Sequence, residues 1–354
     1  MKSDLIIIGG GIIGLYSAYL LAQSGIKITL IDKGNFGQES SWAAGGILSP
    51  LLPWHYSDKV LSLTRSAARD YKNLSTHLAI STGLDIEYWK CGLTIHETVN
   101  DDISQWCDQH NIICQQIENI QQNHIHLPDI AQVRMPLVIK ALVELLQREN
   151  VTLLNNTDVL NYQIHNRRIT AVGTRDGDIH TENVLSTTGA WRPETDNARL
   201  SVNWPAIIPI KGQMIAMQAI PGLLRNILYK DGHYLIPRKD GLIIAGSTIE
   251  HVGYTKQITN SARETLWQNS LDIYPELERY PITHQWAGIR PGTADNVPTI
   301  GPHPELEGLY LNCGHFRYGV AMAPMSAHII REWLLNDGKT LTGEQRCYAG
   351  YNFA

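Results

Sequence analysis

The chemistry written most plainly in this chain lies near its start, where Asp4 and the apolar run Leu5-Ile6-Ile7-Ile8 lead into Gly9-Gly10-Gly11-Ile12-Ile13-Gly14. Glycines at 9, 11 and 14 have the spacing of a nucleotide-phosphate turn. Gly9 allows the tight turn, Gly11 lets the backbone approach a pyrophosphate, and Gly14 lets the following helix lie close against the strand. Free N–H groups at the start of that helix face an anion. Lys27-Ile28-Thr29-Leu30-Ile31 then forms a second β-rich run ending at Asp32, where a carboxylate can take both hydroxyls of an adenosine ribose. Ile12, Ile13 and Lys33 flank these positions and are expected at the same site. Strand, glycines, helix and acid follow in order within one βαβ unit, which distinguishes the motif from a chance match.

These residues need a strand and a helix to hold them, yet the stretch from Leu5 to Ala22 carries no charge and is about as long as a minimal membrane span. Asp4, the spaced glycines and the complete second strand with its acid favour a doubly buried parallel strand over a signal anchor. At 354 residues the chain is long enough for two domains, and 43% apolar with 18% charged residues excludes a disordered protein. A net charge of −5 without any basic block argues against a nucleic-acid partner. Cys91, Cys107, Cys114, Cys313 and Cys347 form no CxxC pair, which suits a reducing cytoplasm. His124 and His126, read as lying on a loop, have no partner at metal spacing, so no metal site is expected.

Further along, Glu39 to Pro50 joins small hydroxyl and small apolar residues that permit close backbone approach. Leu61 to Ile80 has helical apolar spacing, and Pro136 opens a helix running through Arg148. Val151-Leu154 reads as a further strand of the parallel sheet and Val184 to Trp191 as another strand ending in a small-residue turn, with turns near Asn166-Arg167 and Asp176-Gly177 between them. Val159, Gly189 and Trp191 are expected to face the dinucleotide. The segments 83–129 and 201–285 read as two excursions, the second rich in strands, and Pro324 is expected to precede a closing amphipathic helix. The fold class is α/β: a Rossmann-like domain of residues 1–82, 130–200 and 286–354, interleaved with a smaller α+β domain of 83–129 and 201–285 built on an antiparallel sheet.

Four stretches together, the first glycine run, Ser40-Ser41-Trp42-Ala43-Ala44-Gly45-Gly46, Trp286-Ala287-Gly288-Ile289-Arg290-Pro291-Gly292 and Gly314-His315-Phe316-Arg317-Tyr318-Gly319, resemble the D-amino acid oxidase superfamily of FAD enzymes. Within it the chain is most similar to the glycine oxidases of thiamine biosynthesis. The resemblance implies non-covalent FAD held by Gly9, Gly11, Gly14 and Asp32. Ser40, Ser41, Ala43, Ala44, Gly45 and Gly46 would run along the pyrophosphate and flavin, and Gly288 and Gly314 to Gly319 would border the flavin. It further implies that Arg290 binds the substrate carboxylate, that Tyr234 assists from a substrate-domain strand, and that Arg317 sits near the substrate or flavin edge. An arginine suits that role because its fork makes two parallel charge-assisted hydrogen bonds to a carboxylate. Flanked by Gly288, Pro291 and Gly292, Arg290 reads as part of a constrained turn.

The implied reaction is oxidative deamination of glycine, sarcosine or a small D-amino acid. The neutral amine gives a hydride from Cα to flavin N5, the imine yields a 2-oxo acid and ammonia, and O2 takes the electrons to form H2O2. The closing helix would point its positive end at the reduced flavin. The alternative in the same family is a dehydrogenase or deaminase passing electrons to a quinone or other acceptor, with the aromatic stretch Leu51 to Tyr56 touching the acceptor or a membrane surface. A non-enzymatic flavoprotein subunit is the reading from another class. Homo-oligomers occur in the family. Two departures bear on the substrate: Gly232 stands two residues before Tyr234, where some relatives carry histidine, and the Ser49 to Tyr56 stretch is more aromatic than in glycine oxidases. Cys313 invites a flavin thioether, but a small buried cysteine is the simpler reading.

Overall fold

The computed structural model describes residues 2–96, 101–119, 122–191 and 203–353. The glycine run folds as β1 (Leu5–Ile8), α1 (Ile12–Ala22) and β2 (Ile28–Ile31). All four residues of each of these strands are buried, which is why they carry no polar alternation. Their sheet has six strands, in the order Thr299–Pro302, Leu309–Cys313, Val184–Ser186, β1, β2 and Val151–Leu154, parallel except for the pair at the first edge. Gly14 is obligatory for the α1 crossing, since a Cβ there would lie 1.9 Å from the Gly9 carbonyl oxygen and 2.7 Å from Thr187 Oγ1. The uncharged stretch is thus strand, turn and helix. Among the described residues no helix is long and apolar enough to cross a membrane.

A second sheet of eight strands runs Ile282–Gly292, Ile208–Gln218, Leu242–Gly246, His233–Pro237, Ile227–Lys230, Leu93–Ile95, Gln122–Leu127 and Gln115–Asn119. It is antiparallel except where Ile227–Lys230 meets Leu93–Ile95. Its two long strands pair from Ile208 opposite Gly292 to Met217 opposite Ile282, so the second runs straight across the boundary expected at residue 286. The boundary expected at 200 lies outside the described residues. Helix Asn260–Ile273 packs on one apolar face through Leu266 and Ile273, and the other face, with Met214 and Ile236, joins Ile47 and Leu51 from the segment after β2. Residues 159–180 form the two expected hairpins as a separate three-stranded sheet.

Three local expectations change. The helix expected over Leu61 to Ile80 is two helices, Asp58–Thr64 and Ala67–Thr82. The Thr64 hydroxyl lies 3.2 Å from the carbonyls of Val60 and Leu61, a back-bond that disturbs the helical ladder at the break. His124 and His126 lie on a strand rather than a loop. Pro324 lies inside the last long helix, Gly319–Asn336, instead of before it.

A proline at that position cannot donate to the carbonyl four residues back, which leaves Val320 without its helical partner. Tyr71, fully buried on the Ala67–Thr82 helix, donates its hydroxyl to the Val320 carbonyl oxygen at 3.0 Å. A tertiary bond thus fills the gap in the helix ladder. Replacing Tyr71 with phenylalanine leaves a buried acceptor unsatisfied, and Tyr71→Phe is expected to lower stability by about 1–3 kcal/mol, read from urea unfolding.

Candidate active site

One cavity of about 670 Å³ lies between the two sheets. Gly9, Gly11, Ile12, Ile13, Asp32, Lys33, Ser40, Ser41, Ala43, Ala44, Gly45, Gly46, Val159, Gly189, Trp191, Tyr234, Gly288, Arg290, His315, Phe316, Arg317, Tyr318 and Gly319 all line it. Gly14 and Gly314 do not. Gly14 serves the helix crossing, and Gly314 takes φ +85° where a Cβ would lie 2.8 Å from Thr293 Cγ2.

At the β1–α1 end, Asp32 accepts Gly10 N–H on Oδ2 at 2.7 Å and Gly34 N–H on Oδ1 at 2.8 Å. Burial raises its pKa above the usual carboxylate value, against the lowering by those two amides. Ser41 Oγ accepts the Ile12 N–H at 2.9 Å, and the Ser40 hydroxyl donates to the Ile289 carbonyl, which pins the small-residue segment to the long strand carrying Arg290. A Cβ on Gly288 would lie 2.7 Å from Ala43 Cβ, so this contact needs glycine. Lys33 Nζ stands 4.6 Å from the centre of the Trp191 ring.

At the other end Arg290 lies on the strand Ile282–Gly292; the constrained turn expected from its glycine and proline neighbours is the end of a ladder. Its guanidinium lies over Gly212 on the neighbouring strand, where a Cβ would come within 2.1 Å of Nη1. Nη2 donates to Ser247 Oγ at 2.8 Å and Nη1 to the Thr248 carbonyl at 3.2 Å. Arg290 forms no ion pair among the described residues. Burial lowers its pKa; Tyr234, also hydrogen-bonded to it, opposes that shift, and Arg317 adds to it. Tyr234 lies over a second strand glycine, Gly246, whose Cβ would sit 2.7 Å from the phenol oxygen. His233, next in the strand, points to the opposite face, where its Nε2 is 2.8 Å from Asn269 Nδ2. Arg317 is exposed, with its guanidinium 5.3 Å from the Phe316 ring centre.

Several residues in and around the cavity escaped the sequence reading. Thr187 Oγ1 donates to the Gly9 carbonyl at 2.6 Å, joining the glycine turn to the next strand. Arg238, buried, donates to the carbonyls of Val133 and Gly45 and to the Gln132 side chain, and so fixes the Gly45-Gly46 turn from behind. Burial lowers its pKa to about 10. Gly212 and Gly246 had one available signal, since glycine inside a strand marks a close approach. The aromatic stretch contributes Ser49 and Leu51 to the cavity wall. Tyr56 meets Tyr318 edge-on at 4.9 Å, the two hydroxyls hydrogen-bonded. Cys313 is buried and its thiol is pushed up to about 12.

His315 is 2% exposed, its Nε2 has no hydrogen-bond partner among the described residues, and burial lowers its pKa from 6.5 to about 3. Between those values the unfolded chain binds the extra proton, so this contribution is complete above pH 6.5 and is lost as the pH falls toward 3. Urea unfolding at a series of pH values is expected to show an acid limb that His315→Leu flattens by up to about 1.4 kcal/mol per pH unit.

Residues 4–333 match the DAO family of FAD-dependent oxidoreductases. The chain is 35% identical to the glycine oxidase of Pseudomonas putida over 348 residues, covering 94% of this chain and 95% of that one. It is also 35% identical to that of Pseudomonas aeruginosa over 347 residues, 94% of each. In fold it resembles the glycine oxidase of Bacillus cereus, with TM-score 0.85 at 24% identity, over 95% of this chain and 96% of that one. The L-proline dehydrogenase of P. horikoshii also has TM-score 0.85, at 22% identity, over 99% and 98%. The strand–glycine–helix turn, its acid and the cavity shared between the two sheets thus belong to a member of the DAO family of FAD-dependent oxidoreductases, with FAD as its cofactor.

Proposed function

We propose that this enzyme oxidises the C–N bond of a small amino acid or N-substituted glycine, with Arg290 holding the substrate carboxylate. The observation that carries this reading is a guanidinium that lines the cavity, leans on Gly212, donates to the Thr248 carbonyl and the Ser247 hydroxyl, and pairs with no carboxylate among the described residues. A planar carboxylate is the natural complement to such a fork. Tyr234, hydrogen-bonded to Arg290, would hold the same carboxylate or fix the arginine. The 35% identity to two glycine oxidases supports the amino acid class.

The residues present fit FAD. Asp32, lining the cavity at the end of β2 and held in place by the Gly10 and Gly34 amides, suits the ribose hydroxyls, and the Gly11–Ile12 helix start suits the pyrophosphate. The Gly319–Asn336 helix begins at the cavity, with Gly319 and Val320 among its lining, and brings its positive end there. Bound FAD supplies the two-electron acceptor that no side chain can provide. The division of labour we propose assigns FAD to the segments 1–82, 130–200 and 286–354 and the substrate to 83–129 and 201–285, with the long strand through residue 286 carrying Arg290 between them.

The acids lining the cavity are already engaged. Asp32 is held by two amides, Glu39 by Lys256 at 2.9 Å, and Asp158 by Arg175 at 3.1 Å. The amine therefore enters neutral, its proton left to solvent, and the protein's part is to fix the carboxylate so that the Cα–H faces the acceptor. Molecular oxygen is the proposed final acceptor.

Anaerobic titration with glycine, sarcosine and small D-amino acids, followed by flavin absorbance, is expected to bleach the protein, and admitted air to restore the colour with H2O2. Slow recovery in air that a quinone analogue accelerates would move the assignment to a dehydrogenase. Arg290→Ala is expected to weaken binding by about 2–5 kcal/mol, read as the amine concentration for half-bleaching. Arg290→Lys is expected to recover only part of that loss, because an ammonium lacks the fork. Unchanged bleaching in Arg290→Ala would remove the site.

A further inference from the structure

The segment 247–259 follows the strand Leu242–Gly246 and crosses the gap between the two sheets. Its start anchors Arg290 through Ser247 Oγ and the Thr248 carbonyl. Its middle reaches the other sheet, where Tyr254 donates to the Ala190 carbonyl at 2.9 Å and Lys256 pairs with Glu39. Beneath its start lies a polar cluster that the carboxylate-binding role of Arg290 does not itself require. Lys211 is 3% exposed, and its Nζ lies 2.8 Å from Glu250 Oε2. Glu250 Oε1 accepts from Gln213 Nε2 at 2.8 Å and from the Thr248 hydroxyl at 2.5 Å. That same hydroxyl oxygen accepts the Gln213 backbone N–H at 2.8 Å. Lys211 and Glu250 also exchange backbone hydrogen bonds, both 2.9 Å, an antiparallel bridge that ties the segment to the strand Ile208–Gln218.

Each group fixes the next. The charge of Lys211 holds Glu250, the carboxylate orients the Thr248 hydroxyl, and the hydroxyl locks the peptide whose carbonyl receives Arg290 Nη1. We propose that Glu250, acting through Thr248, is the positioning residue that sets the Arg290 fork for a carboxylate. The proposal rests on the reading of Arg290 given above. The carboxylate of Glu250 stays away from the fork because its oxygens are taken by Lys211, Gln213 and Thr248. The Glu250 charge, paired with Lys211, also acts on Arg290 and favours its protonated form. Burial opposes the ionised form of Glu250, but the hydrogen bonds from Lys211, Thr248 and Gln213 lower its pKa below the usual value. The acceptor set for Arg290 therefore stays the same across neutral pH.

The test uses the FAD-loaded enzyme and acetate, a carboxylate with no amine to oxidise, with its binding followed by perturbation of the flavin spectrum. Thr248→Val keeps the shape and removes the hydroxyl; Thr248→Ser keeps the hydroxyl and loses a methyl. Thr248→Val is expected to weaken acetate binding on the order of tenfold and Thr248→Ser to leave it within about twofold, with FAD affinity unchanged in both. A space-filling role for Thr248 would give the reverse order and overturn the proposal. The paired variant Lys211→Met with Glu250→Met removes the cluster without stranding a buried charge. It is expected to show the same tenfold loss, and acetate binding equal to the unmodified enzyme would overturn the proposal. Arg290→Ala separates the two levels. If it abolishes acetate binding while the Thr248 and Lys211/Glu250 variants bind normally, only the positioning role falls. If it too binds normally, the reading of Arg290 falls with it.

Discussion

A guanidinium with no carboxylate partner among the described residues is the constraint around which this site is arranged. Taking an unpaired charge out of water is unfavourable, and a protein can hold one only where surrounding dipoles partly replace the lost hydration. Arg290 is therefore placed at the end of a long strand, over a bare glycine on its neighbour, with the Ser247 hydroxyl and the Thr248 carbonyl as acceptors and the Tyr234 phenol beside it. The remaining capacity of the fork points to what the enzyme binds. A carboxylate of the protein in that place would satisfy the arginine and close the site.

The two sheets meet this need differently. The parallel sheet supplies helix starts and a glycine turn, features suited to a long anionic ligand. The antiparallel sheet supplies rigid strands whose side chains alternate, so that Tyr234 faces the cavity and His233 the helix behind it. The joint between the sheets is made of small groups. Ser40 holds the Ile289 carbonyl, and Ala43 lies against Gly288. Larger residues at this joint would separate the arginine from the nucleotide site it must serve.

What was legible in the sequence follows from distance along the chain. The β1–α1–β2 unit with Asp32 is local, and its spacing alone placed the glycines, the helix and the acid. Arg290 stood out through its neighbours and the family pattern, although those neighbours misled about its conformation: Gly288 is there for packing against Ala43, and Arg290 belongs to a strand. Pro324 misled in a similar way. A proline usually marks a boundary, but here a tyrosine some 250 positions earlier supplies the missing donor. The Lys211–Glu250 cluster and the Thr187 bridge left no local trace, because each joins residues whose proximity exists only after the sheets form. Strand glycines at 212 and 246 were the faint exception.

The strand order of the parallel sheet also bears on how the protein is made. β1 stands between β2 and Val184–Ser186, and the latter must itself be covered by Leu309–Cys313. A chain still emerging from the ribosome has most of its sequence exposed before that last neighbour appears, and the helix that begins at the cavity comes later still. Until then the half-built sheet presents an open edge, the kind of surface that invites misassociation. The complete cavity thus exists only after Leu309–Cys313 and the residues through Val320 have joined a sheet whose first strand was made some 300 positions earlier.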